Sequence, residues 1–200
     1  MNSNDQQLYL KHLVSYGLVS QNYYCLILKV IYISNKHFIS YSKADGKDFA
    51  YKLRNALLSN SPPIQVWLDE YEIKPGIDWD EQIVEGIRTC VSLIFIMTYD
   101  SVKPQSICKK EWTRALRYKK PIIPILLHKE AEMPFNLDPR QYINFTEDFD
   151  NPLKELQAHL QWLLTPEGVL HAMNDRLADA QRDLLRAVED IGKIRIQEEI

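Results

Sequence analysis

Three short segments concentrate the residues of this chain that could do chemistry. Phe38-Ile39-Ser40-Tyr41-Ser42 ends in a run of hydroxyls followed by Lys43. Trp67-Leu68-Asp69-Glu70 leads into Lys74-Pro75-Gly76. Ser106-Ile107-Cys108-Lys109-Lys110-Glu111-Trp112 sets one carboxylate behind a thiol and two ammonium groups. A lone glutamate near a helix start has two readings. The positive end of the helix dipole favours an acid there, and an isolated carboxylate can also stabilise a cation that develops during a reaction.

Other chemistries lose their footing on what is missing. None of the six glycines stands in G-x-G-x-x-G or G-x-x-x-x-G-K order, and there is no G-x-S-x-G elbow. This argues against kinase, P-loop, Rossmann dehydrogenase and hydrolase-elbow readings. No two of His12, His37, His128, His159 and His171 have the i, i+4 spacing of a helical metal site. Cys25, Cys90 and Cys108 lack metal-type spacing as well, so no metal is expected and the cysteines read as reduced thiols.

The elements that must position these segments follow from periodicity. His37–Tyr41, Ile64–Leu68, Val91–Met97, Ile122–Leu127 and Gln141–Phe145 are short apolar runs. Between them lie amphipathic stretches at Asp45–Ser59, Asp78–Thr89, Lys109–Lys119 and Asn151–Leu164, with Asp45 expected as an N-cap. Val91–Met97 holds one polar residue in seven, which predicts a strand buried on both faces. Pro124 predicts an edge position or a bulge for its strand. Strands alternating with helices imply a parallel sheet covered on both faces, whose ligands bind beyond the carboxyl ends of the strands. The loops after Tyr41, Leu68, Met97 and Leu127 are therefore where chemistry is expected.

Two regions stand apart. Residues 1–35 read as a strand-prone N-terminal extension, and residues 36–165 as the folded body. In 166–200, Leu170, Met173, Leu177, Ala180, Leu184, Ala187, Ile191 and Ile194 recur at alternating spacings of three and four. That narrow stripe predicts a coiled-coil-like helix that pairs with another and leads into a longer parent chain; the competing reading is a helix lying on its own domain. The chain has 200 residues and a formal net charge of −3. Residues 166–200 hold eight acids and five bases, so the whole excess lies on this tail and the body is neutral. No basic footprint for nucleic acid follows from such a balance. Tyr23–Ile33 is too short to span a bilayer and has no signal-peptide flanks, so the expected location is the cytoplasm, away from membranes.

In their order and at those strand ends, the three segments resemble the TIR (Toll/interleukin-1 receptor) domain in its bacterial form. F-I-S-Y is similar to its first box, P-G-I-D-W to the Pro-Gly loop of its second, and S-I-C-K-K-E to the stretch that carries the glutamate of TIR enzymes. The resemblance spans about His37 to Leu164. It implies an α/β, flavodoxin-like fold with five parallel strands and helices on both faces, and either of two jobs. One is cleavage of NAD⁺ to nicotinamide and ADP-ribose or a cyclic ADP-ribose isomer, activated by self-association, as in bacterial anti-phage defence. The other is a non-enzymatic scaffold that assembles through TIR–TIR contacts.

Carried over by position, Glu111 would be the catalytic carboxylate. Phe38, Ser40, Tyr41 and Lys43 would line the nucleotide side, Asp69 and Gly76 would belong to the covering loop, and Ile107 and Cys108 would flank the glutamate. NAD⁺ is substrate in this reading and no cofactor is expected. The chemistry is coherent. Nicotinamide leaves a cationic pyridinium as a neutral molecule, so no general acid is needed, and one carboxylate can serve the oxocarbenium-like transition state. One position departs from the family pattern: Ile107 stands where a tryptophan is usual. Trp79 and Trp112 are candidates for a replacement surface, Trp112 reading better as core. Lys109, Lys110, Arg114, Arg117, Lys119 and Lys120 form a basic helix and turn. They read as a solvated face, or as a field for a pyrophosphate or an acidic surface of a second protomer.

Overall fold

The computed structural model describes residues 35–72, 78–138 and 140–198, with side chains through residue 188. The expectations for residues 1–35 and for the Lys74-Pro75-Gly76 loop fall almost wholly outside the described residues. In chain order the elements are β1 (His37–Ser40), α1 (Lys47–Leu58), β2 (Val66–Trp67), α2 (Asp69–Glu72), α3 (Trp79–Thr89), β3 (Leu93–Met97), α4 (Ile107–Arg117), β4 (Ile122–Leu126), β5 (Ile143–Asn144), α5 (Asp150–Trp162) and α6 (Pro166–Glu198). All strand pairs are parallel, in the order β2-β1-β3-β4-β5. Strand order therefore reverses between β1 and β3, the point at which such sheets leave a crevice for ligands.

Side-chain alternation along the strands builds two cores. Ile39, Ile94, Ile96 and Ile125 join Leu53 and Leu57 of α1 and Leu156 and Leu160 of α5 on one face. Phe38, Leu93, Phe95 and Met97 join Ile83 and Ile87 of α3 and Cys108, Trp112 and Ala115 of α4 on the other. All five residues of β3 are buried, as a strand sandwiched between helix layers must be. Pro124 is not at the edge, since β4 lies between β3 and β5. Along β4, Leu127 N–H donates to Met97 of β3, while Leu126 carbonyl accepts from Phe145 beyond β5. That alternation turns the N–H that Pro124 lacks toward β5, whose pairing starts only at Ile125, so no ladder bond is lost.

Asp45 does not cap α1. Gly46 occupies the cap position without a side-chain bond, and the Asp45 carboxylate instead accepts from Thr98 Oγ1 at 2.6 Å and from the Asp100 N–H at 2.9 Å. It ties the loop after β1 to the loop after β3. The tail is one helix of 33 residues. It meets the body through Arg176, whose Nε donates to the Lys119 carbonyl at 3.2 Å, and through Asp179 and Asp183, at 3.4 and 3.7 Å from the Lys119 ammonium. Leu170, Met173, Leu177 and Leu184 are exposed, so the described part of the heptad stripe faces away from the body it is attached to. No helix of the described residues is long and apolar enough to cross a membrane.

Candidate functional site

Period-2 alternation on β1 points Phe38 and Ser40 toward α3 and α4, and sends Ile39 toward α1 and α5. On α4, the buried positions are Cys108, Glu111, Trp112 and Ala115, the spacing of a core-facing helix stripe. Glu111 is therefore a carboxylate in a core position. Ser106 starts the helix: its Oγ accepts from Lys109 N–H at 3.1 Å and donates to the Ser101 carbonyl at 2.7 Å. That cap fixes the rotation that aims Glu111 inward.

The Glu111 Oε2 accepts a 2.6 Å hydrogen bond from Ser40 Oγ. Beside it, the Asp69 Oδ1 accepts from the Tyr41 hydroxyl at 2.7 Å, and Asp69 Oδ2 lies 2.8 Å from the Lys43 ammonium. A pocket of about 280 Å³ opens at the carboxyl ends of β1 and β3. Tyr41, Lys43, Asp69, Trp79, Asp100, Ile107 and Glu111 are among its walls, with Phe38 and Cys108 deeper. Ser40 sits behind Glu111, out of the lining, and acts on the pocket through that carboxylate. Seven of the residues singled out from the sequence, Phe38, Tyr41, Lys43, Asp69, Ile107, Cys108 and Glu111, thus share one cavity.

Electrostatics make Glu111 unusual. Burial disfavours its charge, and with Asp69 nearby its pKa is pushed up to about 8, against the opposing pull of the Ser40 hydrogen bond and the Lys43 charge. A carboxyl poised near neutrality in a cleft is what functional sites are built to produce. Burial, then the hydrogen bond to Asp69, holds the Tyr41 phenol far above its ordinary value. Burial and the neighbouring Glu111 raise the Cys108 thiol well above the usual range, so it stays protonated and is no nucleophile. Asp100 is the opposite case: Lys103 at 2.7 Å and the Ser42 hydroxyl at 2.7 Å stabilise its charge.

One pocket feature escapes a reading of residue types. Ser42 and Asp100 bond to each other across 58 positions of sequence, a separation that carries no local signal. Trp79 stands on the pocket wall, partly exposed, whereas Trp112 is core at 2% exposure. Ile107 is half exposed on the rim. The basic helix also divides. Lys119 is taken by α6, and Lys120 donates to the Cys90 carbonyl at 2.6 Å. Lys109, Lys110, Arg114 and Arg117 line a groove with Pro104 and Thr113, on the face of α4 opposite the buried stripe that holds Glu111. Among the described residues, no three His, Cys, Asp or Glu side chains converge in a way that could hold a metal ion.

Comparison with known proteins accords with this architecture. The family model of the TIR domain matches residues 38–157. Among solved structures, the TIR domain of the Toll-related receptor TRR-2 from Hydra magnipapillata is 23% identical with a TM-score of 0.51, over 64% of this chain and 99% of that one. A prokaryotic SEFIR domain is 26% identical with a TM-score of 0.51, over the same shares. A TIR-STING receptor from C. gigas, solved in complex with 2′,3′-cGAMP, is 25% identical with a TM-score of 0.50, over 61% of this chain and 38% of that one. No curated protein sequence matches the chain significantly.

Proposed function

Because the chain belongs to the TIR domain family, we propose that it is an NAD⁺ glycohydrolase that cleaves the bond between nicotinamide and ribose. The observation that carries this reading is the buried Glu111 at the sheet's switch point, hydrogen-bonded to Ser40 and opening onto a pocket. In the reaction, the N-glycosidic bond breaks with its electron pair going to the pyridinium nitrogen, which becomes neutral. The ribosyl group passes through an oxocarbenium-like state that the Glu111 carboxylate stabilises. Water captures the cation to give ADP-ribose and releases a proton. Capture by a nitrogen of the substrate's own adenine gives a cyclic isomer instead. Asp69 and Asp100 add negative field for the cationic nicotinamide ring, and Lys43 is the cation on the pocket wall that suits the diphosphate.

The test is to incubate concentrated protein with NAD⁺ and follow nicotinamide by chromatography, with ADP-ribose and cyclic products resolved in the same run. No release at any concentration would overturn the proposal and leave the second reading, a non-enzymatic TIR–TIR scaffold. That reading is favoured by Ile107, which offers no aromatic surface at the rim.

The pH profile has a definite sign. The active form is the carboxylate, and with its pKa raised to about 8 only about a tenth of the free protein carries it at pH 7. The kcat/KM for NAD⁺ is expected to rise about tenfold from pH 7 to pH 9 and to level off above that, because this ratio reports the free enzyme. A flat profile would show that Glu111 is already charged.

Turnover is expected to depend on self-association, with the exposed α6 stripe as one contact. Leu177→Glu together with Leu184→Glu puts charges in the seam at two exposed positions, where a lone helix bears them at little cost. Oligomer mass in sedimentation and nicotinamide release should fall together, by about tenfold in rate at a fixed low concentration. Unchanged mass would show that the stripe does not pair.

A further inference from the structure

α3 and α4 lie side by side over one core, Ile83 and Ile87 of α3 meeting the layer that holds Cys108, Trp112 and Ala115 of α4. Both cross between parallel strands on one face of the sheet, so they run in the same direction. Their outer faces carry opposite charge. The groove on α4 is walled by Lys109, Lys110, Arg114 and Arg117. The first turn of α3 carries Asp80 and Glu81, next to the cap Asp78, and Glu85 follows one turn on. Among the described residues, none of those four cations takes part in an ion pair, nor do Asp80 and Glu81. Lys36, Lys43, Lys47, Lys103, Lys119 and Lys129 all do. An unpaired basic stripe on α4 therefore stands next to the unpaired acidic first turn of α3, on neighbouring parallel helices, while Glu85 one turn on is held by Arg88 at 2.7 Å.

We infer that this face binds a second copy of the chain about a two-fold axis running between α3 and α4, each basic α4 lying on the acidic start of the other copy's α3. A surface with a negative stripe beside a positive one is complementary to itself under that rotation and under no simple translation of the face, and the contact is made twice. The same rotation matches the N-terminal ends of the two helices. The exposed Trp79 and Ile107, which begin α3 and α4 and border the pocket, then meet across the axis and add the apolar contact that a charged rim alone lacks. Association would thereby cover the rim beside Glu111. A polyanion such as RNA fits the face poorly. The α4 groove has no aromatic in its walls, and the acids of α3 beside it repel phosphate. The substrate's diphosphate is excluded by position, the cations facing away from the helix stripe that bears Glu111. This inference rests on the self-association in the reading above, and not on turnover.

The test uses the full chain with α6 intact. One variant makes both stripes acidic, Lys109→Glu with Lys110→Glu and Arg114→Glu, which leaves Arg117 as one cation against three acids; the other makes both basic, Asp80→Lys with Glu81→Lys. Every substituted side chain is surface-facing, and thermal melts confirm folding. Each variant alone should weaken one association step at least about tenfold in sedimentation at low salt. An equimolar mixture of the two should recover it, because acidic and basic faces then meet. Association of either variant at the wild-type constant would overturn the inference. So would loss in both without recovery on mixing, or saturable binding of RNA to wild type that the α4 variant loses while its self-association is unchanged. Mass is the readout, so absence of nicotinamide release would sink the catalytic reading and leave this result standing.

Discussion

Replacing Glu111 by glutamine is expected to lower nicotinamide release by about 10²–10³-fold, the usual effect of removing one preorganised electrostatic group from a transition state, while the fold survives. The substitution is nearly isosteric, and a glutamine oxygen still accepts the Ser40 hydroxyl that now bonds Glu111 at 2.6 Å. What disappears is the charge. Because that charge acts on a cation present only as the glycosidic bond opens, kcat should fall far more than KM changes. Stability moves the other way. A carboxyl whose pKa is about 8 when folded, against the ordinary value when unfolded, makes the folded state hold more protons between those limits. Native stability is therefore lost as pH rises through that window, and the glutamine variant escapes the loss. A melt at pH 9 should place Glu111→Gln above wild type, and one at pH 4 should not. Undiminished nicotinamide release by the variant would refute the catalytic role, whatever the melts show.

That trade of stability for charge is visible in the sequence once the helix is laid out. Cys108, Trp112 and Ala115 form the apolar stripe of α4, and Glu111 interrupts it. An acid at a core position of an amphipathic helix violates the pattern the helix otherwise obeys, and such violations mark functional sites. The sheet was legible for a related reason. Buried on both faces, β3 and β4 must be apolar throughout, so Val91–Met97 and Ile122–Leu127 announce themselves. The edge strands β2 and β5 shrink to two paired residues each, because short edges carry little of that pressure. Asp45 shows where local reasoning fails. An aspartate before an amphipathic helix reads as a cap, but Thr98 and Asp100, more than fifty positions away, provide better partners for its carboxylate. The basic helix shows the limit in charge. Composition gives six cations, and only their partners separate Lys119 and Lys120, engaged by the fold, from the four that face outward.

Gly86→Leu is expected to be the most destabilising single change on α3. A Cβ at Gly86 would stand 2.8 Å from Trp67 Cε2, with two more ring carbons at 3.1 and 3.2 Å, so the indole must move before any side chain fits. It has little room to do so, since Trp67 is buried and stacked on Phe38 with ring centroids 4.5 Å apart. Magnitudes decide the outcome. An alanine gains about 1 kcal/mol of helix propensity over glycine and meets an overpacking cost of about 1–3 kcal/mol, so Gly86→Ala should be neutral to mildly destabilising. Leucine adds three more carbons to the same space, and Gly86→Leu should cost about 3 kcal/mol or more, a large part of the 5–15 kcal/mol that holds a typical domain. The second ring of the stack is Phe38, which borders the pocket, so in the less severe alanine variant the displaced indole should be felt as a raised KM for NAD⁺. The cause can be isolated. With Trp67→Leu in place the obstruction is gone, and Gly86→Ala should then become stabilising by its helix propensity, measured as a change of sign in a double-mutant cycle by urea unfolding. If alanine costs the same in both backgrounds, the glycine is required for some reason other than the Trp67 ring.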